Sequence, residues 1–263
     1  MSDLAVLIPV YNNQRGLERS LRSLQEAHGR FDVVIVDDGS REPILVPSTL
    51  RDDVPVFLLR LKSNQGIAVA LNHGLRFILA SDYLFVARLD AGDTILPNRF
   101  ERQMHFLGIQ GDCGVVSSFV DFVDSSQTPL FQYRAPSRHS VILRRLHLNN
   151  CIMHPASMLR ASALREVGLY REDVPGAEDY DLFLRMARRY TLAVLPEVLT
   201  RIEYCFEGLS VAGRNRQQRT RLRLQVRYFD PTSLFSFFGI TRTLVAMLVP
   251  HAVVFRFKRV CLR

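Results

Sequence analysis

Four apolar runs near the start of the chain, each closing on a polar cluster, constrain its fold more than any other feature. The runs are Leu4–Val10, Phe31–Val36, Val54–Leu61 and Tyr83–Leu89. They end in Tyr11-Asn12-Asn13, Asp37-Asp38-Gly39-Ser40, Lys62-Ser63-Asn64-Gln65-Gly66 and Asp90-Ala91-Gly92-Asp93. Leu4–Val10 is uninterrupted and the other three carry one charged residue each (Asp32, Arg60, Arg88); mainly apolar runs of this length fit buried strands, the pattern of a parallel sheet. Leu17, Leu21 and Leu24 recur at helical spacing within residues 14–27, and Ile67, Leu71, Leu75, Ile78 and Leu79 do so within Ile67–Leu79. Strands alternating with helices predict an α/β sheet with right-handed crossovers. In such a sheet ligands bind beyond the carboxyl ends of the strands, where all four polar clusters fall.

Further along, Pro97 opens a helix to about Leu107, Cys113–Phe122 is a strand, and Leu130–Tyr133 returns as a hairpin. Helices are expected over Ser137–His147, Ala161–Val167 and Asp179–Arg189, and strands over Leu192–Leu195 and Leu199–Tyr204. Cys113, Cys151, Cys205 and Cys261 form no Cys-x-x-Cys pair, which argues against a zinc or redox motif and fits a reducing compartment. Leu4–Val10 lacks a preceding basic region, so it reads as a strand and not as a signal peptide.

The net charge of +8 is concentrated in one place. Residues 206–263 hold eleven Lys and Arg against Glu207 and Asp230, a net +9, and residues 1–205 carry −1. Such a basic block points to phosphates. Arg216, Arg219, Arg223 and Arg227 form one stripe of an expected helix over Arg214–Phe229, with Leu222, Val226 and Phe229 beside it. Arg214 and the arginines after it read mainly as a solvated helix face. Beyond Arg242 the apolar stretch Thr243–Phe255 is shorter than the ~20 residues a bilayer span needs, so an in-plane membrane anchor is expected, with a helix pair packed on the domain as the alternative. The arginines have little aromatic interleaving and no reader motif, so no nucleic acid is expected as a partner.

None of the strand-end clusters is a Gly-x-Gly-x-x-Gly or Walker loop, which leaves a dinucleotide-dependent dehydrogenase or a P-loop enzyme unsupported. Asp90 and Asp93 around the bendable Ala91-Gly92 are a pattern able to hold a divalent cation against a diphosphate, or simply a polar turn. Asp37–Ser40 alone reads as a tight turn, and Asn64–Gly66 as a cap before a helix; their positions at strand ends point to a site. Glu178-Asp179, after Pro175-Gly176, opens a helix, where acids also serve as plain helix-start residues.

Together, Ile8-Pro9-Val10-Tyr11-Asn12, Val36-Asp37-Asp38-Gly39-Ser40, Asn64-Gln65-Gly66, Ala87-Arg88-Leu89-Asp90-Ala91-Gly92-Asp93 and Glu178-Asp179-Tyr180-Asp181-Leu182 resemble the family 2 glycosyltransferases of GT-A fold, over about Leu4–Tyr204. The resemblance is to bacterial enzymes of surface-polysaccharide synthesis, including lipopolysaccharide. It implies a Rossmann-like, mostly parallel central sheet in a nucleotide-binding half, about 1–115, followed by a mixed α+β acceptor half, about 116–205. A helical tail, 206–263, completes the expected organisation.

The resemblance also implies roles. Pro9, Tyr11 and Asn12 would line a base and ribose pocket, and Asp38 would contact the nucleobase or ribose. Asn64 and Gly66 would shape a loop over the nucleotide, and Arg88 and Glu178 would lie at the nucleotide-sugar. Asp90 would bind ribose or metal-linked phosphate, with a divalent metal, Mn or Mg, as cofactor. Asp179 would be the general base of an inverting transfer from a nucleotide-sugar, a UDP-sugar by expectation, to a glycan or lipid-linked glycan. The enzyme would work in the cytoplasm at the inner face of the membrane, touching it peripherally through the tail. The family often has Asp-x-Asp-Asp where this chain has Asp-Ala-Gly-Asp, so Gly92 leaves a gap that Asp93, and in addition His154, would have to fill as metal ligands. The rival from another class is a non-catalytic nucleotide-sugar or membrane-binding module with a decayed metal site.

Overall fold

The computed structural model describes residues 2–47, 53–204 and 214–248. Cys205, Cys261 and the end of the expected apolar stretch lie outside these. β1 (Leu4–Val10) is wholly buried and pairs in parallel with β2 (Asp32–Asp37) and β4 (Phe85–Arg88). β3 (Val56–Arg60) extends the parallel set beyond β2. Leu4, Val6 and Ile8 enter one hydrophobic core and Ala5 and Leu7 the other, which is why the run alternates with no polar residue. α1 (Gln14–Gln25) and α3 (Arg99–Ile109) cover the first face, and α2 (Ile67–Leu79) covers the second. Gly74 lets α2 press onto the sheet, since a Cβ there would lie 2.3 Å from Leu7 Cδ1.

The sheet continues past β4 with antiparallel β8 (Met158–Arg160) and β6 (Cys113–Val123), then β9 (Thr191–Glu203), parallel to β6. β7 (Pro129–Tyr133) returns along β6 as the expected hairpin. The sheet is therefore the expected mixed α/β one, parallel where the nucleotide half was anticipated. Two elements differ from expectation. The strands read as Leu192–Leu195 and Leu199–Tyr204 are one strand; Pro196 and Glu197 fall where the register against β6 shifts, between Ser118 and Phe119. A bulge absorbs the proline's missing N–H without ending the strand. β5 (Thr94–Ile95), too short for a periodic signal, pairs with β9 through Arg201 and Thr200.

Between these strands lie α4 (His139–Leu148), α5 (Ala161–Val167) and α6 (Glu178–Met186). The tail forms α7 (Arg214–Arg227) and α8 (Leu234–Leu248), which pack on each other and on α4. The inward stripe of α7 differs from the expected one: Thr220, Leu224 and Gln225 are buried, and Val226 is exposed. Gln225 Nε2 donates to the carbonyls of His147 and Leu148, satisfying the C-terminal end of α4. On α8 the buried face is Ser236, Gly239 and Thr243, and a Cβ on Gly239 would meet the His147 carbonyl oxygen at 2.0 Å. The helix pair thus rests on the domain through small residues, while Leu234, Phe238, Val245 and Leu248 face outward. Among the described residues no helix is long and apolar enough to cross a membrane.

Candidate active site

Parallel pairing brings the ends of β1, β2, β3 and β4 to one edge of the sheet. Asp38 donates its N–H to the Val10 carbonyl at 2.9 Å, and Asn12 N–H donates to Ser40 Oγ at 2.8 Å. Asn12, at a left-handed φ of 50°, accepts from Arg41 N–H through Oδ1. Pro9 is buried beneath this stitching, and Tyr11 stands 45% exposed at the mouth. The buried Asp38 carboxylate accepts from Gln65 N–H at 2.8 Å, Gly66 N–H at 2.9 Å and Asn64 Nδ2 at 3.1 Å. Asp38 therefore fastens the loop of residues 64–66, which the family resemblance would place over a nucleotide. Gly39 is required beside it: at φ 67° a Cβ would meet the Ser63 backbone at 2.3 Å.

The turn after β4 closes by Asp93 N–H to the Asp90 carbonyl. Ser20 of α1 holds it from below, accepting from Gly92 N–H and donating to the Asp93 carbonyl at 2.7 Å. The Asp90 carboxylate reaches solvent and takes an ion pair from Arg88 Nη2. Arg88 is fully buried and also donates to the Leu7 carbonyl through Nη1 and, at 3.3 Å, to His154 Nε2 through Nε. Tyr170 Oη lies 2.6 Å from the same nitrogen. Because the guanidinium can only donate, Nε2 is an acceptor; burial and the Arg88 charge hold His154 well below its usual pKa, and the ring is neutral.

Across from this turn stands the first turn of α6. Burial, and then the neighbouring Glu178 charge, push Asp179 up to about 7. Its Oδ2 accepts from Asn150 Nδ2 at 2.8 Å and its Oδ1 from Tyr180 N–H at 2.7 Å. Burial raises Glu178 too, with Asp90 among the charges it feels, and its Oε2 is buried without a hydrogen-bond partner. Tyr170 lies in the fields of Arg88, Asp179, Glu178 and Asp90 together. One site thus joins Arg88, Asp90, His154, Tyr170, Glu178 and Asp179.

The expected metal set does not assemble as written. Asp93 is buried, and its Oδ1 accepts from Glu203 N–H at 3.0 Å. Burial first, then the Asp90 and Glu203 charges, raise its pKa well above the usual range. The Nε2 of His154 is already occupied by Tyr170 and Arg88. Among the described residues no cluster of three or more His, Cys, Asp or Glu could hold a metal ion. The exposed Asp90 carboxylate suits a Mg²⁺ or Mn²⁺ that takes most of its ligands from phosphate and water, the arrangement in which few protein ligands suffice. Asn150, Tyr170 and Ser20 were not singled out from the sequence. They lie in no motif, and only tertiary packing brings them to the site.

The parallel sheet with polar clusters at its strand ends, faced by the acids of α6, is the GT-A fold of glycosyltransferases. Residues 5–168 match Glycosyl transferase family 2, and the chain belongs to that family. It is 29% identical over 205 residues to the amylovoran biosynthesis glycosyltransferase AmsE of Erwinia amylovora, covering 75% of each chain. It is 23% identical over 234 residues to an uncharacterised glycosyltransferase of Haemophilus influenzae, covering 84% of this chain and 72% of that one. Among solved structures, S. aureus TarS 1-349 in complex with UDP-GlcNAc superposes with a TM-score of 0.65 at 20% identity, over 86% of this chain and 66% of that one. The Pyrobaculum calidifontis mannosyltransferase PcManGT, in complex with GDP-Man and Mn2+, gives 0.63 at 18% identity over 94% and 70%. This chain spans just under two thirds of the TarS 1-349 length, and likeness at these identities speaks for the fold.

Proposed function

We propose that this family 2 glycosyltransferase inverts the anomeric centre of a nucleotide-sugar, a UDP-sugar first of all, in transferring the sugar to a glycan or lipid-linked glycan of a bacterial surface polysaccharide. The observation that carries the reading is Asp179, raised to about 7 in the first turn of α6, in one electrostatic cluster with Asp90. A carboxylate poised there accepts a proton near neutral pH. The Asp179 carboxylate takes the proton of the acceptor hydroxyl, whose oxygen forms the new bond to the anomeric carbon. The bond from that carbon to the diphosphate oxygen breaks, and the nucleoside diphosphate leaves with the electron pair. A single displacement inverts the configuration. Asn150 orients Asp179, and the neutral His154 fixes Arg88 behind Asp90. Mn²⁺ or Mg²⁺ held at Asp90 would supply positive charge against the donor diphosphate.

Relatives support the donor class: the TarS structure holds UDP-GlcNAc and PcManGT holds GDP-Man. AmsE, a glycosyltransferase of amylovoran biosynthesis, supports the polysaccharide setting. The outward apolar face of α8 supports peripheral contact with a membrane, which for this chemistry is the cytoplasmic face. The test is thermal stabilisation by a panel of nucleotide sugars with and without Mn²⁺, followed by transfer assays and anomeric assignment of the product. A UDP-sugar that stabilises the protein and is transferred with inversion supports the reading. Donor binding with no transfer to any glycan acceptor favours a binding module, and a retained configuration overturns the mechanism.

A further inference from the structure

Asn150, which bonds Asp179, also lines a cavity of about 190 Å³ between β7, the C-terminal end of α4 and α8. Arg134, Arg145 and Arg242 line it, and no acid does. Among the described residues neither Arg145 nor Arg242 has a hydrogen-bond or ion-pair partner for its side chain. Arg221 of α7 adds a fourth positive charge nearby, lying in the fields of both Arg242 and Asp179. Arg134 Nε donates to Gln132 Oε1, and none of the three arginines has a carboxylate partner among the described residues; guanidinium groups in this state match the oxygens of a phosphate. A cavity of this size has room for a phosphate group.

The surroundings define what carries that phosphate. Arg242 shares one face of α8 with Phe238 and Val245, at i−4 and i+3, and both are exposed. A cation flanked by apolar side chains on an otherwise apolar helix suits an amphiphile whose phosphate enters the cavity while its hydrocarbon lies along α8. Asn150 both lines the cavity and bonds Asp179, so a single side chain separates a phosphate held there from the proposed base.

We infer that the cavity bounded by Arg134, Arg145 and Arg242 binds the phosphate of a lipid-phosphate-linked acceptor, placing its first sugars at Asp179. This rests on the glycosyltransferase reading above and names the acceptor's chemistry within it.

The test uses the full chain with UDP present in excess, so that the donor site is filled, and farnesyl diphosphate as the probe. UDP binding is measured first; its absence counts against the proposed donor chemistry and leaves the probe measurement readable. Wild type binds farnesyl diphosphate more tightly than inorganic pyrophosphate or farnesol. The Arg145→Gln/Arg242→Gln variant binds it at least tenfold more weakly, with UDP affinity unchanged, and the corresponding Lys variant recovers most of the loss. Both arginines are exposed, so the substitutions leave the core intact, and each single Gln variant gives a smaller loss of the same sign. Equal binding by wild type and the double Gln variant overturns the inference. So does a loss confined to phosphatidylglycerol vesicles, which assigns the arginines to lipid headgroups, and so does pyrophosphate binding as tight as that of the prenyl probe, which assigns the cavity to a free anion.

Discussion

Arg88 Nη2 lies 2.5 Å from Asp90 Oδ1, with the arginine side chain 1% exposed and the aspartate side chain 44% exposed. A cation inside the sheet therefore aims a carboxylate at the crevice. Its direction is set by the neighbouring strand, because Nη1 donates to the Leu7 carbonyl at 2.6 Å. Arg99, also buried, donates to the Arg88 carbonyl at 2.8 Å and ties this arrangement to α3.

Replacing Arg88 with Met removes these donors; the Leu7 carbonyl keeps Leu89 N–H, His154 Nε2 keeps Tyr170 Oη, and Asp90 loses its ion pair. Hydrogen bonds that involve a charged group contribute about 1.5–3 kcal/mol each. Arg88→Met is expected to lose roughly 2–4 kcal/mol by urea unfolding and to bind UDP-sugar more weakly. Arg88→Lys keeps the charge but not the fork, and should fall between the two.

Asp179→Asn should retain donor binding and lose transfer by several orders of magnitude. In wild type the rate should rise with pH through about 7, as the base ionises, and then level off. Glu178→Gln removes a like charge, so this limb should move to lower pH. Stability carries the same signature. A carboxyl raised in the folded state stabilises below its unfolded pKa, and that contribution is lost as pH rises toward about 7. The stability of Asp179→Asn relative to wild type should therefore increase between about pH 4 and 7 and flatten above. Urea unfolding at several pH values checks this, and a flat difference would remove the raised base.

The parallel core was legible because Leu4–Val10 and Val33–Val36 are apolar at every position and alternate between two cores. The strand-end clusters followed from that topology. The direction in which side chains point within a cluster did not. Asp93 resembles a metal ligand in the sequence, yet Glu203, more than a hundred residues further on, draws it inward. Nor did the sequence show that the Asp38 carboxylate, implied by the resemblance as a nucleotide contact, organises residues 64–66. The inward stripe of α7 was misread for a related reason. Leu222, Val226 and Phe229 are the apolar choice, but the facing end of α4 offers carbonyls, and Gln225 meets them.

The tail gives opposite expectations for the two faces of α8. Gly239→Leu drives a side chain into the His147 carbonyl and should detach the helix pair, seen as a destabilisation of about 2 kcal/mol or more and early proteolysis before residue 234. Phe238→Ser with Leu248→Ser changes residues 66% and 83% exposed, so unfolding midpoints should stay within the range of surface substitutions. The same pair should lower co-sedimentation with lipid vesicles severalfold. Undiminished sedimentation would remove the membrane contact.

Asp90 and Asp93 separate most clearly under metal titration. Burial and its neighbours raise the Asp93 pKa well above the usual carboxylate range, so Asp93→Asn removes a disfavoured charge while keeping the side chain's shape. It should leave Mn²⁺ affinity and donor binding within about twofold of wild type. Raising the pH should favour the variant's stability over that of wild type, because wild-type folding stability declines as pH rises through the elevated folded pKa of Asp93. Asp90→Asn removes the exposed carboxylate and should abolish Mn²⁺-dependent stabilisation by UDP-sugar while leaving metal-free UDP binding within severalfold. Isothermal titration of each variant with Mn²⁺ in the presence of UDP decides between the two positions. A loss of affinity in Asp93→Asn equal to that in Asp90→Asn would mean that the turn rearranges to turn Asp93 outward when the donor binds, against the burial that now holds it inside.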